Sequence, residues 1–147
     1  MAMTTIKAEA HVLEGGKVAA RSRNCALTID EPHGPEGAAT GMNPAEALLC
    51  SLGACQSIAA RAYAPQFQVK LDDFRVEIEG DIDPDGLFDQ ADGRPGYAEV
   101  RYTFRIKTDS PIERVEQFVK FLESRCPIGD TIAGPVRMKL QGIVIEE

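Results

Sequence analysis

Gly41-Met42-Asn43-Pro44-Ala45-Glu46-Ala47-Leu48-Leu49-Cys50-Ser51-Leu52-Gly53-Ala54-Cys55 is the stretch whose reading decides the fold. Asn43 is a strong N-cap and Pro44 suits the first helical turn. Ala45, Leu48, Leu49, Leu52, Cys55, Ala59 and Ala62 recur at helical spacing. No charged residue falls between Glu46 and Arg61, and Pro65 ends the pattern. The spacing predicts a long helix buried on almost all sides. Its small residues, Ala45, Ala47, Ser51, Gly53 and Ala54, would let another helix approach closely.

On the N-terminal side, Ile6–Leu13, Lys17–Arg23 and Ala26–Ile29 read as strands, with Glu14-Gly15-Gly16 as a turn. Residues 30–41, rich in Gly, Pro and acid, read as a loop. On the C-terminal side, 74–82 and 97–107 alternate as half-buried strands on either side of a turn-rich loop. Ser110-Pro111 opens a second helix, with Glu113 placed for a capping box and Ile112, Val115, Phe118, Val119 and Leu122 as the apolar stripe. Cys126-Pro127 interrupts it. A short helical turn over 128–133 and a final strand over 136–145 complete the chain. The order predicts an α+β fold in a single domain over residues 1–147.

The net charge of −7 argues against a nucleic acid or an anionic membrane surface as partner, because both need a basic patch. Residues 1–10 lack the apolar core of a signal peptide. The apolar run at 45–60 is broken by Glu46, Ser51, Gly53 and Gln56 and cannot span a bilayer. The expected location is the cytoplasm.

Four cysteines, Cys25, Cys50, Cys55 and Cys126, occur without a CxxC pair, and His11 and His33 lie far from them in sequence. No metal site is expected. Free cysteines in a reducing compartment are more often small buried hydrophobes than reagents. Cys55 fits that description on the apolar stripe. Cys126 precedes Pro127 and so takes an N-cap position, where free N–H groups and the helix dipole favour a thiolate. Cys50 lies five positions before Cys55, about 140° away around a helix, so the two cannot bond. Cys50 shares its face with Glu46, and a carboxylate raises a thiol's pKa. Cys25 and Cys50 are therefore read as incidental.

The segment from Gly41 to Leu49 followed by Gly53-Ala54-Cys55, together with Arg125-Cys126-Pro127-Ile128 downstream, resembles the two cysteine motifs of the OsmC/Ohr superfamily. The likeness runs in order over about residues 30–140. It implies antiparallel sheets packed around a long central helix, an intertwined homodimer, and active sites at the dimer interface. It also implies reduction of organic hydroperoxides, with Cys55 as the peroxidatic thiol and Cys126 as the resolving thiol. A dithiol reductant, lipoyl-type in some members, would reset the pair.

The resemblance departs at one position. Family peroxidases carry a Glu directly after the motif Pro, orienting an Arg that activates the first cysteine; here that position is Ala45. Glu46 lies nine residues before Cys55, about 180° around the helix, and faces away. Residues 30–42 contain no Arg, which leaves Arg21 or Arg23 on an early strand as the activating group, or as solvated strand charges. Three functions compete. One is a thiol-dependent hydroperoxide reductase. A second is a non-enzymatic stress protein that holds an apolar ligand in the dimer cleft. The third is a thiol hydrolase with Cys55 as nucleophile, for which His33 in the preceding loop is the only candidate base.

Overall fold

The computed structural model describes residues 2–31, 40–87 and 93–147, and it falls into two compact units, Met1–Ser51 and Leu52–Glu147. In the first, β1 (Glu9–Val12), β2 (Val18–Ser22) and β3 (Cys25–Ile29) form an antiparallel meander in that order. The first turn needs two consecutive positive φ angles, 84° at Gly15 and 87° at Gly16, which glycine adopts without a Cβ penalty. β1 is shorter than the expected strand over Ile6–Leu13, and Ile6 lies outside the ladder, 88% exposed. The end of β3 is tied to the following helix through Asp30. Its carboxylate accepts N–H bonds from Thr40 (3.1 Å) and Glu31 (3.0 Å), and its own N–H donates to Met42 O (3.1 Å). Those bonds, that of Thr40 foremost, hold the Asp30 carboxyl below its ordinary pKa. Most of the loop predicted over 30–41, His33 included, lies outside the described residues.

α1 (Pro44–Tyr63) starts as expected: Asn43 Oδ1 accepts the Glu46 N–H at 2.8 Å. The helix is not buried on almost all sides. Only Leu52, Gln56 and Ala60 are buried, while Leu48 is 41% and Ile58 72% exposed. The buried residues form one stripe, as on a helix laid against a single layer.

That layer is built in the second unit. β4 (Asp73–Ile82) and β5 (Tyr97–Lys107) pair antiparallel, from Asp73 opposite Lys107 to Ile82 opposite Tyr97, with an irregularity at Asp81/Ile82. Their alternation is the predicted one. On the outer face Arg75 stands opposite Arg105, a like-charged pair made tolerable by Glu77, which accepts from both. Arg101 binds Asp81, Glu79 and Glu99. These exposed pairs set register more than stability. On the inner face Phe74 and Phe104 stack with centroids 5.4 Å apart.

α3 (Ile112–Ser124) packs its stripe into this layer. Phe118 and Leu122, both 0% exposed, join Ala60, Ala64 and Val69 in the core. Aromatic edges from Tyr63 and Phe67 meet Phe121 at 5.1 and 5.3 Å. Gly53 marks a close crossing of α1 and β4, where a Cβ would sit 2.9 Å from Ile78 Cδ1.

Two local expectations fail. Ser110 and Glu113 form no capping box, because Ser110 Oγ accepts the Lys70 N–H (3.0 Å) and the first turn of α3 bonds to Pro111 O instead. The 136–145 stretch forms no strand; it runs without a ladder, with Met138 93% and Val144 84% exposed. Alternation gives a strand its faces, but a neighbour with free N–H and C=O groups must supply the ladder. The remaining helices are α2 (Pro84–Leu87) and α4 (Pro127–Ala133). Among the described residues no helix is long and apolar enough to cross a membrane.

Candidate active site

Cys55 and Cys126, 71 residues apart in sequence, meet in the second unit: the Cys126 thiol donates to Cys55 Sγ at 3.2 Å. Helical periodicity on α1 turns Cys55 toward the joint between α3 and α4. That joint exists because Pro127 cannot continue α3 and instead opens α4 at its first position. Cys126 is the N-cap residue, as its place before Pro127 predicts, and its Sγ accepts the Gly129 N–H at 3.3 Å. Both cysteines are free thiols; Cys126 is buried and Cys55 half-buried.

The N-cap does not, on balance, favour a Cys126 thiolate. Burial pushes the Cys126 thiol up, and the Gly129 N–H bond only partly offsets it. Free N–H groups and the helix dipole favour a thiolate at a cap, but Cys126 is 4% exposed and desolvation outweighs one N–H donor. Alkylation should show this. Cys126 is expected to react with iodoacetamide later and at higher pH than the exposed Cys25 and Cys50, by peptide mass mapping across a pH series. Modification of Cys126 ahead of these exposed thiols at neutral pH would contradict the assignment.

A cavity of about 580 Å³ opens beside the pair, lined among others by Leu52, Gln56, Tyr97, Tyr102, Glu123 and Cys126. The Tyr102 hydroxyl donates to Glu123 Oε1 at 2.8 Å, and burial followed by that bond raises its pKa to about 12, so it stays a neutral phenol. Gly80 makes room for the Tyr97 ring, because a Cβ there would lie 2.6 Å from Cε1. Gln56 is 3% exposed, and its Oε1 has no hydrogen-bond partner among the described residues. A buried acceptor left unmade costs about 1–3 kcal/mol. The sequence reading passed over Gln56, noting it only as a break in the apolar run. The available signal was an amide four residues after Leu52 on the same buried stripe.

The other expected site residues are placed as follows. Arg21 lies in β2, opposite Glu9 and Ala26, and Arg23 sits in the β2–β3 turn with φ 56°, an uncommon angle for a side-chain-bearing residue. Cys25 and Cys50 are exposed. Ala45, at the family's Glu position, is in the first turn of α1.

Comparison with known proteins gives this arrangement a context. The hydroperoxide reductase of Mycoplasma genitalium is 28% identical over 127 residues, 86% of each chain, and that of Mycoplasma pneumoniae is 25% identical over the same length. The crystal structure of an OsmC-like protein from Mycoplasma pneumoniae superposes with a TM-score of 0.79, at 24% identity over 89% of each chain. The organic hydroperoxide resistance protein OhrB of Bacillus subtilis gives 0.60, at 19% identity over 90% of this chain and 93% of that one. At such identities the structural matches establish the fold. The family model for OsmC-like proteins matches residues 35–141, most of the sequence, and the chain therefore belongs to the OsmC-like family.

Proposed function

We propose that this protein is a thiol-dependent peroxidase that reduces organic hydroperoxides in an oxidative stress response. The observation that carries the reading is the 3.2 Å approach of Cys126 Sγ to Cys55 Sγ, with Cys126 as donor. The names of its Mycoplasma relatives point the same way. Cys55 thiolate attacks the terminal peroxide oxygen; the O–O bond breaks, Cys55 becomes a sulfenic acid, and the leaving alkoxide takes a proton to become an alcohol. The Cys126 thiol then attacks the Cys55 sulfur, expelling water and forming a disulfide. Its S–S bond of about 2.05 Å requires only a short closing movement from the present contact. A dithiol, lipoyl-type in the family, returns both cysteines to thiols. No bound cofactor or metal enters this cycle. Arg21 or Arg23 would supply the charge that activates Cys55, and an alanine at each in turn identifies which.

The active form in this reading is an intertwined homodimer in the cytoplasm. Support comes from apolar surface that one chain leaves in water. Leu27 and Val12 on the first sheet are 51% and 68% exposed, Ile58 on α1 is 72% exposed, and the alternating 136–145 segment has no ladder. A second copy would supply the missing neighbours.

The test is steady-state consumption of cumene hydroperoxide against hydrogen peroxide by the purified protein, with a lipoyl-type dithiol as reductant. The reading predicts fast turnover and preference for the organic peroxide. Rates no better than those of free thiols would overturn it. The competing reading would then lead: Ala45 removes the Glu that orients the family's arginine, leaving a cleft that binds an apolar ligand without turnover.

A further inference from the structure

We infer that the cavity beside Cys126 is the entry for the resetting thiol, which attacks Cys126 rather than Cys55 and is held there by a hydrogen bond to Gln56 Oε1. This rests on the two-cysteine reading above and deepens it. Two independent observations support it. Cys126 is among the residues that line the cavity and Cys55 is not, which puts Cys126 nearer to a molecule held inside it. Gln56 lines the same cavity, is 3% exposed, and has a carbonyl oxygen without a partner among the described residues. Buried acceptors are rarely left unmade. The missing partner is a donor that arrives with a ligand, which must therefore carry a hydroxyl or an amide N–H as well as its sulfur.

The exchange chemistry runs in the same direction. A thiolate attacks one sulfur of a disulfide in line with the bond, and the other sulfur departs with the electron pair. Attack on Cys126 expels Cys55. Attack on Cys55 would expel Cys126, whose burial disfavours the departing thiolate. The steps balance for a dithiol reductant. Its first sulfur bonds to Cys126 Sγ as the Cys55–Cys126 bond breaks, and Cys55 leaves as a thiolate. Its second sulfur then attacks the first, closing a cyclic disulfide and releasing Cys126. The reductant loses two electrons and two protons; the protein gains both.

The test uses the full chain with Cys25→Ser and Cys50→Ser, so that only the pair titrates. Its disulfide is made with diamide, independently of any peroxide. Mixing with 2-mercaptoethanol, acid quench and peptide mass mapping are expected to find the added thiol on Cys126 and a free Cys55. Finding it on Cys55 overturns the inference and leaves the peroxidase reading intact. Reduction by dithiothreitol is then compared with butane-1,4-dithiol, which has the same carbon chain without hydroxyls. Each rate is taken relative to that dithiol's rate on a small free disulfide. The Gln56 bond predicts about a fivefold preference for dithiothreitol, lost in Gln56→Leu. Equal preference in both proteins overturns the role of Gln56, and an unfolded Gln56→Leu leaves the mapping result to decide. A reducible disulfide in a protein that consumes no peroxide would sink the peroxidase reading and spare this one. Failure of diamide to form the disulfide would sink both.

Discussion

Replacing Cys55 with Ser is expected to lower organic hydroperoxide turnover by about 10³-fold or more, to the background of unrelated protein. A serine hydroxyl is not ionised near neutral pH, and no other thiol on the second unit can take over. Cys126, the nearest, is 4% exposed and stays protonated. Cys126→Ser should behave differently. Its first turnover is expected to proceed, because Cys55 still meets peroxide. Turnover then stalls for lack of a resolving sulfur, and a sulfenic acid accumulates that dimedone captures. A steady-state assay beside a dimedone mass shift separates the two variants. Equal losses with no captured sulfenate in Cys126→Ser would contradict the division of roles.

The largest effect on stability is expected at Phe118. Its ring is 0% exposed among Ala60, Ala64, Val69 and Leu122, and lies 6.2 Å from the Phe67 centroid. Phe118→Ala removes that burial and leaves a hole that the surrounding helix and sheet cannot fill. A loss of about 3–5 kcal/mol follows, or a fall in Tm of about 10 °C. The measurement is urea denaturation at constant protein concentration, with Phe118→Leu as the milder companion. A Phe118→Ala loss below about 1 kcal/mol would show that α3 is not held by this core. The effect reaches the site as well, since α3 ends next to Cys126 and a loosened Leu122 would blur the contact with Cys55.

The elements that the sequence made legible carry their own instructions. Asn43-Pro44 states where α1 begins, the alternation of 74–82 and 97–107 states which face is wet, and Pro127 forces the break that places Cys126 at a cap. Each is a local rule, and local rules survive folding. The failures depend on distant partners. Ser110 was free to cap its own helix until Lys70 claimed its hydroxyl. The 136–145 segment has a strand's pattern, but no pattern supplies the second strand. The Cys126 cap was visible and its electrostatic effect was not, because burial is a property of everything packed around a residue. Gln56 was hidden by similar causes. Its position on the buried stripe could be counted, whereas the cavity it faces required α3, α4 and β5 to be in place.

The central claim is that Cys55 and Cys126 form one redox pair, and a single-turnover experiment tests it most directly. One equivalent of cumene hydroperoxide is added to the fully reduced wild-type protein without reductant, followed by acid quench and peptide mass mapping of all four cysteines. The account predicts stoichiometric conversion to a Cys55–Cys126 disulfide, with Cys25 and Cys50 still reduced. Unchanged thiols, or oxidation confined to the exposed Cys25 and Cys50, would contradict it.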